Sequence, residues 1–460
     1  MKIRSLIGDR AFYRRVLAVL VPVLVQNVIT NFVSLLDNLM VGQVGTEQMS
    51  GVSIVNMLLF VFNLCIFGGM AGPGIFTAQF FGRGDQEGVR HTFRLKLWVG
   101  FGVWLIFSLA LFFHGPALIS LFLHEGSAGL DLQKTLDSGL GYLHVMMLQM
   151  LPFALQQVYA STLRQTGETV LPMKAGIIAV FVNLIFNYIL IFGKLGAPAL
   201  GVTGAAAATL IARLVELGII LGYTYKNKRR FPFLAGALRS LRVPGGLLGQ
   251  VAKTGAPLLV NELLWSGGMT ALNQSYSLRG LEVVSAMNIS STASNLFFCA
   301  FLSMGDTVAI LVGQLLGAGE LERAVDEDRK LLAFSVALCS AVGVLMFFVA
   351  PLLPELYNTT AEVKALAVRL LWVSAAMMPV NGFTNACYFT LRSGGKTLIT
   401  FLFDSAFICG VSLPVAFVLS RFTAIPILPM VILVNALDLL KCLMGYLLIR
   451  SRKWVNNLVA

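Results

Sequence analysis

The sequence is poor in charge, since Asp, Glu, Lys and Arg make up only 12% of its 460 residues. Soluble domains carry roughly 25%. Hydrophobic residues make up 57% of the chain. A chain of this composition cannot hide its apolar surface in a core of its own, so lipid must surround most of it. This excludes a soluble enzyme or a soluble binding module.

The chain also lacks paired cysteines and catalytic motifs. Its six cysteines lie singly within apolar stretches, so neither a disulfide framework nor a zinc site is predicted. The GGKT tetrapeptide at 394–397 is preceded by Thr390, where a phosphate-binding loop requires glycine. No HExxH or GxSxG motif is present. We therefore expect no enzymatic activity, no cofactor and no use of a nucleotide as an energy source.

Long apolar stretches are abundant, and about 20 such residues suffice for a membrane-spanning helix. The sequence predicts twelve of them, near 14–41, 52–80, 94–122, 136–163, 170–193, 203–225, 250–276, 283–315, 330–353, 364–390, 398–420 and 426–449. The longest connection, 226–249, mixes basic residues with Pro and Gly. We interpret it as a linker between an N-terminal lobe over 1–225 and a C-terminal lobe over 250–460.

Lys and Arg are concentrated on one side of these predicted spans. With the N-terminus inside, they fall in the N-terminal segment (Lys2 and Arg4 among them), in the connection at 83–96, in the linker and in the C-terminal tail. Because positively charged loops stay in the cytoplasm, both termini are expected on the cytoplasmic side of the inner (plasma) membrane. The net charge of +12 then reflects topology, and no nucleic-acid partner is expected.

The two halves of the chain repeat one pattern. TAQFFGRGDQEGVRHTFR at 77–94 aligns without a gap with VGQLLGAGELERAVDEDR at 312–329, an offset of 235 residues (312 minus 77). This offset places Gly82 on Gly317. Six spans per half is an even number, so the halves should be parallel repeats related by an axis along the membrane normal. The substrate site is then expected between them.

Asp37 lies near the end of the first predicted span, where an ionisable side chain is costly and therefore indicates function. Polar residues precede it at helical spacing, namely Gln26, Thr30 and Ser34, with Asn27 on the adjoining strip. This face must line water or pack against another polar helix. Two interpretations stay open: an interfacial carboxylate in the outer half of the span, or a carboxylate that binds a proton or a cation.

Further acidic residues fall within later spans. Glu262 lies on the seventh span and shares its face with Trp265 and Asn273. It is either functional or part of a structural hydrogen bond. Asp306 on the eighth span and Asp404 on the eleventh are candidates for lining a cavity.

Polar side chains also recur on the fifth span, as Asn183, Asn187 and Tyr188. Amides in lipid hydrogen-bond to a neighbouring helix, so this stripe could join helices structurally. As partners of Asp37 or ligands of a cation these residues are equally plausible.

Basic side chains within the spans are scarce, which bears on the alternative function. A flippase for lipid-linked saccharide precursors would favour several cavity-facing cations for its phosphorylated substrate. Within the spans the chain offers Arg213, three residues before Glu216, and Lys441, three residues after Asp438. We expect both to form local ion pairs, which argues against a flippase.

The combination of these motifs resembles the multidrug and toxic compound extrusion (MATE) family. The likeness is carried by Pro22, Gln26 and Asp37, by the QFFGRG and QLLGAG motifs, and by LRQTGET at 163–169 with GAAAAT at 204–209. It covers nearly the whole chain. It implies an all-α integral membrane protein with twelve helices, in two parallel six-helix repeats that form a V-shaped two-lobe transporter.

The resemblance also implies a function. Such a transporter is a secondary active antiporter that exports cationic or amphipathic drug-like compounds in exchange for H⁺ or Na⁺ by alternating access. Its partners would be a small-molecule substrate and the lipid bilayer, and we expect it to act as a monomer.

The family's coupling residues can be carried over position by position. Asp37, Asn183 and Thr209 match the first-, fifth- and sixth-helix residues of its N-lobe coupling site. Glu262 matches the seventh-helix acid of the sodium-driven branch.

Two positions depart from the family's patterns. Asn187 stands where one branch has a second Asp, and Asn381 stands near the tenth-helix Asp of the sodium-driven branch. Neither full set of carboxylates is present, so both ions stay open, with H⁺ favoured.

Overall fold

The structure is a computed structural model that describes residues 6–122, 132–357 and 359–460. Lys2 and Arg4, which were predicted to contribute to the cytoplasmic excess of basic residues, lie outside these ranges. Within them the chain is helical and contains no strand. The predicted all-α class is therefore confirmed.

Ten long helices precede the first helix break in the described part of the chain. They are α1 (Arg10–Gly42), α2 (Thr46–Arg83), α3 (Gln86–Ser120), α4 (Leu132–Gln165), α5 (Val170–Phe192), α6 (Val202–Lys226), α7 (Gly245–Ser277), α8 (Leu281–Gly317), α9 (Leu321–Val349) and α10 (Ala361–Ser393). They correspond in order to the first ten predicted spans.

The last two predicted spans are interrupted. The eleventh consists of α11 (Thr397–Phe403), α12 (Ser405–Phe407), a π-helical segment (Ile408–Ser412) and α13 (Leu413–Phe422). The twelfth consists of α14 (Ile427–Ala436) and α15 (Asp438–Arg450). The first break falls at Asp404, which is one of the predicted site residues.

Eleven helical segments of the described chain are long and apolar enough to cross a membrane. The predicted seventh span also forms a helix, α7, but is not among the eleven. Its composition explains this, because Asn261, Glu262 and Asn273 dilute its apolar stretch.

Close contacts divide the chain into two compact units. One, the C-terminal unit, comprises Met1–Leu24, Ala78–Asp85 and Gln250–Ala460. The other, the N-terminal unit, comprises Val25–Thr77 and Gln86–Gly249. The division into lobes at 1–225 and 250–460, with a linker at 226–249, stays a prediction.

The ends of α2 and α8 show the internal repeat in three dimensions. Gly84 and Gly319 both adopt the left-handed backbone conformation that favours glycine, with φ of 82° and 77°. The N–H of the next residue then donates to the carbonyl five residues earlier, from Asp85 to Phe80 and from Glu320 to Leu315. The second set follows the first at the predicted offset of 235 residues, so equivalent sequences form equivalent helix ends.

These two helix ends cross backbone to backbone within the C-terminal unit. A Cβ atom added at Gly82 would lie 1.9 Å from the carbonyl oxygen of Gln314. A Cβ atom added at Gly317 would lie 1.9 Å from the carbonyl oxygen of Gln79. Only glycine permits so close an approach, and the repeat supplies it on both sides of the crossing.

The C-terminal tail is anchored to the same crossing. Gln79 is fully buried; its amide nitrogen donates to the Ser393 carbonyl at 2.9 Å, and its oxygen accepts the Leu458 N–H at 2.7 Å. The Trp454 side chain is also buried, and its indole N–H donates to the Ile449 carbonyl at 3.1 Å. The first copy of the repeat motif thus also positions a glutamine that holds the tail.

The helix crossing predicts a stability difference between two glycine substitutions. Gly317→Ala forces α2 and α8 apart and should lower the free energy of unfolding by about 1–3 kcal/mol. Gly102→Ala, on α3, is the control, since its Cβ meets nothing within 4 Å and alanine favours a helix. Thermal unfolding of the purified variants in detergent measures both. Equal melting temperatures for the two variants would contradict the backbone contact.

Candidate functional site

Four of the predicted site residues meet in the N-terminal unit. The Asn187 amide nitrogen on α5 donates to Asp37 Oδ1 on α1 at 2.7 Å. It also lies 3.1 Å from Asn183 Oδ1, one helical turn away. Asn183 in turn donates to Thr209 Oγ1 on α6 at 3.3 Å. Asn187 is only 2% exposed, so this cluster is a buried polar site around one carboxylate.

The side-chain amide of Asn183 can face the Asp37 carboxylate with either its nitrogen or its oxygen. The terminal atom of Asn183 that faces the carboxylate lies 2.9 Å from Oδ1 and 3.1 Å from Oδ2. If that atom is nitrogen, it donates to an ionised Asp37. If it is oxygen, a proton must lie between the two acceptors, so Asp37 must be protonated. Rotation of the Asn183 amide therefore exchanges its hydrogen bond with Asn187 for hydrogen bonds to an ionised Asp37.

The site retains an unused acceptor. Asn187 Oδ1 is buried and has no hydrogen-bond partner among the described residues. In the described part of the chain no three His, Cys, Asp or Glu side chains converge as they would around a metal ion. One carboxylate with amide and hydroxyl partners can hold a proton or a monovalent cation.

An ion pair lies close to this cluster. Arg213 Nη1 on α6 lies 2.9 Å from Glu216 Oε2, which confirms the predicted pair. Glu216 is only 2% exposed, and its other oxygen accepts from Gln156 on α4 at 2.8 Å. Asp37 also interacts electrostatically with Arg213. The positive charge nearest to the site is thus already held by a second buried carboxylate.

The remaining polar residues of α1 have local partners. Gln26 packs against Gly176 on α5, with its nitrogen 3.0 Å from the position of a Cβ there. Ser34 is exposed and donates to the Thr30 carbonyl at 3.0 Å. Asn27 is half-buried. None of these contacts reaches Asp37, so the structure brings together the cluster on α5 and α6 but not the whole polar face of α1.

Tyr188 lies apart from its predicted companions Asn183 and Asn187. It is 53% exposed and borders an apolar groove of about 450 Å³. The groove is lined by Met40, Leu184, Ile185, Tyr188, Ile189 and Leu195. Adjacent residues on a helix point about 100° apart, which separates Tyr188 from Asn187.

The candidates of the C-terminal unit are more dispersed. Glu262 is half-buried on α7, whereas Trp265 and Asn273 on the same helix are exposed. Asp306 on α8 and Asn381 on α10 are half-buried. The hydrogen bonds of this unit centre on Asp404.

Lys441 was predicted to pair with Asp438, but it pairs with Asp404 instead. Lys441 Nζ lies 2.7 Å from Asp404 Oδ1. Among the described residues, Lys441 forms no second ion pair. Asn261, which is 1% exposed, donates to Asp404 Oδ2 at 3.2 Å and lies 3.3 Å from the Tyr388 hydroxyl. The sequence analysis missed Asn261, although it directly precedes Glu262, because its partners are more than 100 residues away.

Lys96 was predicted to contribute to the basic connection at 83–96, but it forms part of a helix. It lies on α3, is fully buried, and its ammonium group donates to Thr162 Oγ1 on α4 at 3.0 Å. The Lys96 side chain is therefore hydrogen-bonded within the protein and lies away from solvent.

A model of the MatE family matches residues 22–189 and again residues 257–419. The chain belongs to the MATE family. The second match begins 235 residues after the first (257 minus 22), which is the offset of the repeat read from the sequence.

Similar proteins span almost the whole chain. "Probable multidrug resistance protein NorM" of Thermotoga maritima is 25% identical over 95% of this chain and 92% of its own length. "Probable multidrug resistance protein YoeA" of Bacillus subtilis is 26% identical over 89% of this chain and 87% of its own.

Solved structures support the fold. An outward-facing multidrug resistance MATE family transporter of the MOP superfamily matches with a TM-score of 0.86 at 17% identity, over 98% of this chain and 99% of its own. A MOP superfamily transporter from Pyrococcus furiosus matches with a TM-score of 0.83 at 20% identity, over the same shares. The multi-helix membrane architecture of this MATE protein is therefore shown.

The buried ion pair next to the site predicts a strong charge effect. Arg213→Met leaves Glu216 buried and uncompensated, and should cost about 3–5 kcal/mol of folding free energy. The double variant Arg213→Met/Glu216→Gln removes both charges and should recover most of that loss. Thermal unfolding in detergent separates the two. A double variant no more stable than the single one would show that lost packing, and not charge, is responsible.

Proposed function

We propose that this protein exports cationic or amphipathic drug-like compounds across the plasma membrane in exchange for H⁺, with Asp37 as the coupling carboxylate. Two of the similar proteins carry multidrug resistance in their names, and both match along most of the chain. The observation that carries the coupling role is the Asn183 amide beside Asp37, which can partner either the ionised or the protonated carboxylate.

Export is coupled to proton uptake because the substrate and the proton compete for the negative charge of Asp37. Ionised Asp37 attracts a cationic substrate, whereas protonated Asp37 does not. Protonation also changes which amide hydrogen bonds join α1, α5 and α6, and so favours a different packing of these helices. A proton taken up from outside thus promotes substrate release, and the differential affinity of the two states for the proton is what couples export to the proton gradient.

The choice of H⁺ rests on the small number of charged ligands. Asp37 is the carboxylate of the site, and Asn187 stands where a second one would strengthen cation binding. We further propose that both termini face the cytoplasm and that one chain suffices for transport, as expected from the Lys and Arg distribution and from the internal repeat.

Substitution of the carboxylate tests the coupling role. Asp37→Asn keeps the size of the side chain but carries no charge and no exchangeable carboxyl proton, so energised efflux should fall at least about tenfold. Asp326→Asn, which removes an exposed carboxylate paired with Lys330 on α9, is the matched control and should transport normally. Dye efflux from cells is measured alongside membrane insertion and melting temperature. Full efflux by Asp37→Asn would refute the role of Asp37.

Imposing the two gradients separately identifies the ion. In everted vesicles, a pH gradient alone should drive dye or fluoroquinolone transport, because Asp37 exchanges a proton. A Na⁺ gradient alone, with the pH clamped, should give none. Transport that requires Na⁺ would instead indicate Glu262 as the coupling carboxylate to test next.

A further inference from the structure

The break in the eleventh span creates a second buried charge site, in the C-terminal unit. Asp404 follows α11 with φ of −104° and ψ of −83°, and the helix resumes at Ser405 as α12. Asn261 on α7 stabilises this break. Its side-chain oxygen accepts the Ser405 N–H at 3.3 Å and the Ser405 hydroxyl at 2.7 Å. The geometry fixes the Asp404 carboxylate at the break.

The ammonium group of Lys441 occupies the centre of this site. It lies 2.7 Å from Asp404 Oδ1 and 5.3 Å from the centroid of the Phe403 ring. The side chains of Lys441 and Asp404 are only 11% and 17% exposed. A carboxylate on one side and an aromatic face on the other are both favourable for a poorly hydrated cation.

The surroundings are acidic apart from this lysine and one arginine. Glu262 and Asp438 both interact electrostatically with Asp404. Arg392 on α10 interacts with Glu262. Without the Lys441 ammonium, the Asp404 carboxylate would be buried beside the Asn261 amide with no cation at ion-pair distance in the described chain.

We propose that Lys441 is a built-in counter-cation that fills the position a monovalent metal ion would otherwise take. Asp404 is then compensated without binding Na⁺, and the coupling ion acts at Asp37 alone. The statement about coupling rests on the proposed function, whereas the occupancy of the site by the ammonium group does not.

Removal of the lysine should therefore create a Na⁺ site. In Lys441→Met, the buried Asp404 carboxylate is left without its counter-cation, and carboxylate oxygens suit a hard cation. A ligand that binds the folded state alone raises the melting temperature. Asp404→Asn/Lys441→Met lacks both charges and is the matched control.

The experiment compares melting temperatures in NaCl and in choline chloride at equal ionic strength and pH 8, with the full chain in nanodiscs. Replacing choline by Na⁺ should raise the melting temperature of Lys441→Met by about 2 °C or more beyond any change in the double variant. Lys441→Gln, which keeps a hydrogen-bond donor, should behave in the same way and serves if the methionine variant does not fold. The wild-type protein should respond to Na⁺ no more than the double variant does.

Three results would overturn the inference. One is a melting temperature of Lys441→Met, or of Lys441→Gln, that is the same in NaCl and in choline chloride. That result is expected if the ion pair is only structural or if a proton neutralises Asp404. Another is a Na⁺ effect as large in the double variant as in the single one. The third is a wild-type response that exceeds that of the double variant. No drug transport is measured, so the result stands independently of the efflux experiments.

Discussion

The cost of holding a carboxylate away from water governs both polar sites of this protein. A charged group within a bilayer is several kcal/mol less stable than in water unless a partner compensates it. Glu216 and Asp404 are compensated by Arg213 and Lys441, at 2.9 and 2.7 Å. Asp37 has amide and hydroxyl neighbours instead, and its interaction with Arg213 is shared with Glu216. We therefore expect Asp37 to gain and lose a proton more readily than Glu216 or Asp404.

The helices that hold these groups depend on close backbone contacts elsewhere. Gly82 and Gly317 allow α2 and α8 to cross with no side chain between them. Each crossing point lies next to a left-handed glycine that ends its helix. The repeat thus supplies a glycine on each side of this one crossing.

Much of the fold and part of the site could be predicted from the sequence. Span positions follow from hydropathy, and the offset of the repeat follows from local motifs. The i,i+4 spacing of Asn183 and Asn187 places both amides on one face of α5, so their meeting with a carboxylate was one of the two roles that the sequence left open. The ion pair of Arg213 with Glu216 is also local, and it was confirmed.

Other features depend on contacts between residues distant in sequence. Lys441 was assigned to Asp438 because of i,i+3 spacing, but the break after α11 brings Asp404 within 2.7 Å instead. No local pattern marks that break. Asn261 was overlooked in favour of Glu262 for the same reason, since its partners come from α10 and α11. Tyr188 shows the opposite error, in which sequence proximity suggested a shared face that helix geometry does not allow.

Proton release on substrate binding shows whether substrate and proton compete for Asp37. Purified protein in weakly buffered solution is titrated with ethidium, an amphipathic cation, and the pH change is followed together with binding. If substrate and proton compete for Asp37, the wild-type protein should release about one proton per ethidium bound at a pH where Asp37 is protonated, and Asp37→Asn should release none. Equal proton release by both proteins would show that the exchanged proton lies elsewhere and would contradict the account.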